Sequence, residues 1–269
     1  MLAAWLERLF SNCPAHLREM GYLREMVGIR RRWARYHAAW QAHCEQSRRL
    51  ILAAADRCGQ RRRAVVLGSG WLHDVPLAEL SGRFDEVVLV DLFHPLACRL
   101  SARRYANVRM LAADVTGTVE EVWQAVETRG RPLPPPCHTL FRDDSSLDLT
   151  VSLNLLSQLP CMPERYLRES GRFTEAEIGA FSRTLVRAHL DYLPALPGVV
   201  ALIADYQLTR VNRAGKVLDH KTTLYGVDLP WVDRSWTWTL VPPGRTRRGH
   251  GEILTVAGIE DVKSARLAH

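Results

Sequence analysis

Between Ala64 and Leu208 apolar runs alternate with helix-like segments, and this alternation limits the fold more than any other feature of the chain. "AVVLGSG", "EVVLVD", "NVRMLAADV", "LDLTVSLNLLSQLP" and "GVVALIADYQL" read as five strands. The first is a continuous apolar run, as expected of a strand covered on both faces. The intervening "HDVPLAELSGR", "PLACRLSARRYA" and "TVEEVWQAVETRG" read as helices, the last stopped at Gly130. Pro76 restricts the start of the first of these to its opening turn. "RPLPPPC" is an extended loop, and "PERYLRESGR" is a short helical insertion. Thr174 and Glu177 form a capping box that opens a helix ended by Pro194. Right-handed crossovers between such units give a parallel sheet with helices on both faces. After the fifth strand a hairpin turn is expected at Gly215, followed by "SWTWTLVPPG" and "GEILTVAGI" as a strand pair with no helix between them. The expected fold is α/β, a mostly parallel seven-stranded sheet with an antiparallel C-terminal strand pair.

The first 60 residues read differently, as a helical N-terminal cap, with the sheet domain covering 61–269. A short helix is expected over Leu2 to Phe10. A long one follows, in which Trp33, Trp40, Ser47 and Ala54 recur every seven residues, with His37, Cys44, Ile51 and Cys58 as the accompanying row. Gly59 is suited to cap its end. Trp33, Tyr36, His37 and Trp40 lie on or beside one face. That face either packs on the sheet domain or also lids a pocket.

Composition narrows the functional classes. No stretch approaches the ~18 apolar residues of a membrane span, and Glu7 and Arg8 interrupt the apolar start, so a cytoplasmic location is the simplest reading. The six cysteines are scattered without a C-x-x-C pair, which fits buried free thiols. His37, His43 and Cys44 share one helix, but the two imidazoles point to different faces, and no metal site is expected. Residues 1–63 carry 13 arginines and 5 acids, an excess of +8, against −1 for the remainder. Such a concentration offers a docking surface for phosphate-bearing partners or forms a solvated helix face.

In an open parallel sheet, ligands bind beyond the carboxyl ends of the strands, where the strand order switches. The first strand ends in Gly68, Ser69 and Gly70, which allow a tight turn and close approach of a ligand to the backbone. The second ends in Asp91, 21 positions after Gly70 and followed by Leu92, where a carboxylate can accept from both hydroxyls of a ribose. The third ends in Asp114, placed to accept from the exocyclic amine of a purine, and the fourth near Asn154. A dinucleotide fingerprint needs a third glycine at position 73. The chain has His73 and then Asp74 there, and an acid at a helix start repels a diphosphate but tolerates an ammonium and a sulfonium.

"VVLGSG", "VVLVD", "AAD" and "DLTVSLNLLSQLP", in this order and spacing, resemble the Rossmann-like class I S-adenosylmethionine-dependent methyltransferases, over roughly Ala64 to Ile259. The resemblance implies S-adenosylmethionine as cofactor, with Gly68, Ser69 and Gly70 at its methionine and adenosine parts. It implies Asp91 with Leu92 at the ribose, Asp114 at the adenine amine with Val115 beside the ring, and Asn154 and Leu155 at the methionine end. That family often has an acid two residues before the first glycine and a further glycine in the loop, where this chain has Val66 and Leu72; carbonyls or Asp74 would then hold the methionine ammonium. The D/N-P-P-Y/F/W tetrapeptide used on exocyclic base nitrogens is absent from the sequence.

A small-molecule acceptor is the first expectation. RNA docked through the arginine-rich segment and a non-catalytic cofactor-binding protein are the alternatives, and oligomeric state is open. Methyl transfer from a sulfonium needs a general base only when the acceptor must lose a proton. Asp205, Tyr206, His189, His220, Tyr225 and His94 lie where such a base would be, each also readable as a structural hydrogen bond or a surface group; Tyr206 and His220 are the chosen catalytic candidates. Trp231, Trp236 and Trp238 lie in the C-terminal strand region. Trp236 and Trp238 share one sheet face, as core or as a stacking surface for an acceptor.

Overall fold

The computed structural model describes residues 12–128, 130–229, 232–245 and 249–266. The expected Leu2–Phe10 helix and Trp231 lie outside the described residues. The chain runs α1 (Ala15–Glu19), α2 (Tyr22–Asp56), β1 (Arg63–Leu67), α3 (Leu77–Ser81), β2 (Glu86–Asp91), α4 (Leu96–Ala102), β3 (Val108–Ala112) and α5 (Val119–Glu127). It continues with β4 (Leu147–Leu153), α6 (Cys161–Ser170), α7 (Glu175–Tyr192), a 3-10 turn (Leu193–Ala195), β5 (Val199–Val211), β6 (Val217–Thr222), β7 (Arg234–Val241), β8 (Gly251–Ile259) and α8 (Val262–Arg266).

The strands form one sheet in the order β3-β2-β1-β4-β5-β8-β7, with β6 added on β5. Neighbours from β3 to β5 are parallel, and β5–β8 and β8–β7 are antiparallel. This is the Rossmann-like α/β sheet with an antiparallel C-terminal pair, and its order switches between β1 and β4. It holds eight strands where seven were expected. β5 runs past the end of the parallel sheet to Val211, and the turn at Gly215, with φ +81, folds β6 back against it from Gln207↔Thr222 to Val211↔Val217.

Each face buries a separate apolar cluster. On one, Leu50, Ile51, Ala54 and Ala55 of α2 pack with Val66, Leu89, Leu149, Ala201 and Val256 from five strands. On the other, Val65, Leu67, Val90 and Leu202 meet Val186 and Tyr192 of α7. The C-terminal half of α2 is therefore a layer of the sheet's own core. Its fit is closest at Gly258 of β8, where a Cβ would lie 2.3 Å from the Leu50 side chain and 2.6 Å from the Trp236 ring. Of the heptad rows, Trp40, Ser47, Ala54, Cys44, Ile51 and Cys58 are buried, whereas Trp33 is half-buried and His37 is exposed. Tyr36, with φ −126 and ψ 15, kinks the helix there and breaks the phase of the stripe.

The capping box forms: Thr174 Oγ1 accepts from Glu177 N at 3.3 Å, and Glu177 Oε2 accepts from Thr174 N at 2.8 Å. The six cysteines form no disulfide; Cys13, Cys44, Cys58 and Cys98 are buried, but Cys137 and Cys161 are exposed, which corrects the expectation that all six are buried. No described helix is long and apolar enough to cross a membrane.

Candidate functional site

A cavity of about 490 Å³ opens at the carboxyl ends of β1 to β4, within the ~300–1,000 Å³ range of small-ligand sites. Its floor holds Gly68, Ser69, Gly70, Asp91, Leu92, Asp114, Val115, Asn154 and Leu155, so the structure brings all nine expected cofactor-binding residues together. α2 supplies one wall through Tyr22, Met26, Ile29 and Trp40, and β7 and β8 supply another through Trp238, Leu240, Glu252 and Leu254. A larger, more open groove of about 870 Å³ between α5, the "RPLPPP" loop and α7 contains none of the strand-end residues.

The two glycines differ in what surrounds them. Gly68 has φ +80, and a Cβ there would lie 2.9 Å from Leu153 O and 3.2 Å from Leu155 Cβ; packing against the tip of β4 requires it. Gly70 has φ +49, and a Cβ there would meet nothing closer than Gly68 O at 3.9 Å. The space above Gly70 is therefore open to a ligand.

Both expected carboxylates already have roles in the protein. Asp91 accepts from Gly70 N and Leu92 N at 2.8 Å each, which ties the β1 loop to the tip of β2. Burial raises its pKa above the ordinary carboxylate value, and the Gly70 N–H offsets part of that rise. Asp114 accepts from Thr116 N at 2.8 Å, Thr116 Oγ1 at 2.7 Å and, through Oδ2, Val119 N at 2.8 Å, holding the first turn of α5. A carboxylate offers about four acceptor sites, so Asp114 keeps roughly one for a ligand amine. Tyr22 stands over this end: its phenol is raised well above the ordinary value by burial, then by Asp114, Cys161 and Asp91.

The middle of the cavity is a polar cluster at the tip of β4. Asn154, left-handed at φ 48, donates through Nδ2 to Asp74 Oδ2 at 2.7 Å and lies 3.2 Å from His43 Nε2. Trp236 Nε1 donates to His43 Nδ1 at 3.0 Å. That bond makes Nδ1 an acceptor and puts the proton of neutral His43 on Nε2, 3.9 Å from Asp74 Oδ2; its approach to the Asn154 amide nitrogen is then a contact of two donors, not a hydrogen bond. Burial lowers His43 to about 3 and raises Asp74 to about 6. Trp238 stacks on His43 with centroids 4.0 Å apart and meets Trp40 edge-on at 5.0 Å. Five buried polar atoms of lining residues have no protein partner: Arg32 Nε, Ser69 Oγ, His73 Nε2, Asn154 Oδ1 and Trp238 Nε1. Unpaired buried polar atoms are costly, and a polar ligand would satisfy them.

The remaining expected residues lie elsewhere. Tyr206 sits at a bulge of β5, where the register with β8 slips between Asp205 and Gln207. It packs with the cluster on the face opposite α2, its hydroxyl 3.4 Å from Ser235 Oγ. His220 is on exposed β6, its Nδ1 3.0 Å from Thr209 Oγ1. Neither lines the cavity, and the structure does not bring them together with the cofactor-binding set. His189 is buried beside Ser152 Oγ at 2.9 Å, and Asp205 accepts from Ser157 Oγ at 2.6 Å; both are structural hydrogen bonds. Trp40 alone of the four aromatic residues proposed as a lid lines the cavity. Tyr22, Met26 and Ile29 lie before the heptad rows that start at Trp33 and His37, although their spacing of four and three continues a helix face. Glu252 gave no sequence signal, since only the antiparallel return of β8 carries it to the site.

No protein-family profile matches the chain, and no curated protein matches it in sequence. Among solved structures it is similar to the N-methyltransferase NodS from Bradyrhizobium japonicum WM9 in complex with S-adenosyl-L-homocysteine, at 12% identity over 95% of this chain and 96% of that one, with a TM-score of 0.35. It is also similar to the Burkholderia thailandensis 1,6-didemethyltoxoflavin-N1-methyltransferase, at 13% identity over 87% and 89% of the two chains and a TM-score of 0.31. A third similarity is to the 23S rRNA methyltransferase ErmE, at 10% identity over 80% and 70% and a TM-score of 0.29.

Proposed function

We propose that the protein is an S-adenosylmethionine-dependent methyltransferase acting on a small-molecule acceptor. The observation that carries the reading is the placement of Gly70, Asp91, Asp114 and Asn154 around one cavity at the sheet's switch point. Asp91 would take the ribose hydroxyls, and Asp114 with Val115 the adenine. Ser69 Oγ and Asn154 Oδ1, both unpaired, would meet polar atoms of the bound molecule. When bound, the sulfonium supplies an activated methyl group. The chain's part is to hold the acceptor in line with that methyl and to exclude water, and orientation of this kind supplies most of the rate in such displacements. α2, β7 and β8 close the cavity over the strand tips.

A cavity walled by helix and strands on these sides suits a small acceptor better than an RNA chain. Six of the thirteen arginines invoked for RNA docking pair with acids. Arg32 pairs with Glu25, Arg49 with Glu45, Arg57 with Glu260, Arg61 with Asp56, Arg62 with Asp148, and Arg63 with Glu86 and Asp144. The reading assigns no role to Tyr206 or His220. It is tested by mass spectrometry of the natively purified protein for co-purifying S-adenosylmethionine or S-adenosylhomocysteine, followed by turnover with a deuteromethyl donor and a metabolite extract. Label transfer into a small molecule supports it. Label only in RNA would favour the docking alternative, and cofactor binding without transfer would favour a non-catalytic role.

A further inference from the structure

The adenosyl and methionine parts of a donor span the tips of β3, β2, β1 and β4, yet the cavity continues past β5 to β8 and β7. Strand spacing of about 4.8 Å places those strands roughly 10–15 Å beyond β4. At this far end Trp40 and Trp238 stand nearly perpendicular, with ring centroids 5.0 Å apart at 87°, and form an aromatic corner.

The charge around the cavity is one-sided. Glu25, Asp74, Asp91, Asp114 and Glu252 line it, against Arg32, which is bonded to Glu25 at 2.6 Å. Arg210, the cross-strand neighbour of Glu252, turns to Asp219 at 3.3 Å, and Arg48 reaches the His73 carbonyl. The lining imidazoles His43 and His73 are held neutral, lowered by burial to about 3 and about 4. Asp74 thus lies half-buried beside a neutral histidine and an amide, with Arg48 the cation acting on it. An acid in that setting is stabilised by a cationic guest and repels an anionic one.

Resting on the methyl-transfer reading, we propose that the acceptor is an amine, seated in the corner of Trp40 and Trp238, with Asp74 accepting its proton. One face of Trp238 is covered by His43; an ammonium guest gains from an indole face turned to the cavity and passes one proton to the Asp74 carboxylate. The freed nitrogen lone pair forms the N–C bond as the S–C bond of the donor breaks, and that bond's electron pair stays on sulfur. The methylated nitrogen carries the positive charge, and Asp74 returns its proton to solvent. Asn154, and His43 held by Trp236, act as positioning residues that aim the carboxyl group.

The test uses 2-phenylethylamine, 2-phenylethanol and 3-phenylpropanoate, similar in shape and different in charge, titrated calorimetrically into protein saturated with S-adenosylhomocysteine. The amine is expected to bind about tenfold or more tighter than the alcohol, with the carboxylate weakest. Equal affinities, or a preference for the carboxylate, overturn the proposal. Asp74→Asn, titrated at saturating S-adenosylhomocysteine, should lose the preference for amine over alcohol. Lost S-adenosylhomocysteine affinity with the amine preference intact would give Asp74 to the methionine ammonium and overturn its role here. If wild-type protein does not bind S-adenosylhomocysteine at all, the methyl-transfer reading fails first, before any amine is added.

Discussion

Gly68 and Gly70 share a left-handed backbone but not a purpose, and substitutions separate the two. Gly68→Ala drives a methyl group into the Leu153 carbonyl, whereas Gly70→Ala places one in open cavity. Both carry the ~1–2 kcal/mol cost of a left-handed non-glycine residue. Gly68→Ala is therefore expected to lower Tm further, and Gly70→Ala to weaken S-adenosylhomocysteine binding at the smaller loss of stability, as thermal melts with and without ligand will show. Asp74 adds a pH signature. Its folded pKa of about 6 exceeds its ordinary 3.8, so the folded state keeps a proton that the unfolded chain releases between those values. The stability it contributes is greatest in acid and is lost as pH rises from about 4 through about 6. The Tm difference between Asp74→Asn and wild type should therefore move in the variant's favour over that range and level off above it; a constant difference contradicts the assignment. Asp91, Asp114 and Asn154 were legible in the sequence because each ends an apolar run, and a run's end is a strand's tip. Tyr206 and His220 were placed by the same logic and fell away from the cavity. A bulge in β5 and an added strand decide their positions, and neither shows in hydrophobic periodicity.

Among the elements, α2 joins the fold to the site. Its C-terminal half lies in the sheet's core, and its N-terminal half walls the cavity. The seam is tightest at Gly258, where Leu50 and Trp236 leave no room for a side chain. Gly258→Leu is expected to destabilise the protein by about 1–3 kcal/mol through overpacking and to weaken ligand binding as Trp236 is pushed from His43. Urea unfolding measures the first effect and ligand titration the second; an unchanged midpoint contradicts this packing. The heptad rows showed that α2 packs somewhere. They did not show the kink at Tyr36, because nothing in the spacing of Trp33 and Trp40 records a single residue leaving helical geometry.

For the molecule as a whole, the α/β class and the parallel strands followed from alternation alone, whereas the eighth strand depended on how far β5 outruns its parallel neighbours. The charge split was also legible, but the partners of its last arginines were not: Arg57, Arg62 and Arg63 find acids far along the chain, at Glu260, Asp148, Glu86 and Asp144. Because α2 covers one face of the sheet, removal of residues 1–60 should abolish cooperative unfolding, and a sharp melt by circular dichroism would contradict that. The central claim is that an adenosyl group lies over the tips of β1 to β3 with Asp91 at its ribose. Calorimetric titration of S-adenosylhomocysteine into wild type and Asp91→Ala tests it most directly. The account predicts one site per chain in the wild type and at least about tenfold weaker binding in the variant, the loss expected when charge-assisted hydrogen bonds are removed. Absence of binding to the wild type, or equal affinity in the two proteins, would contradict it.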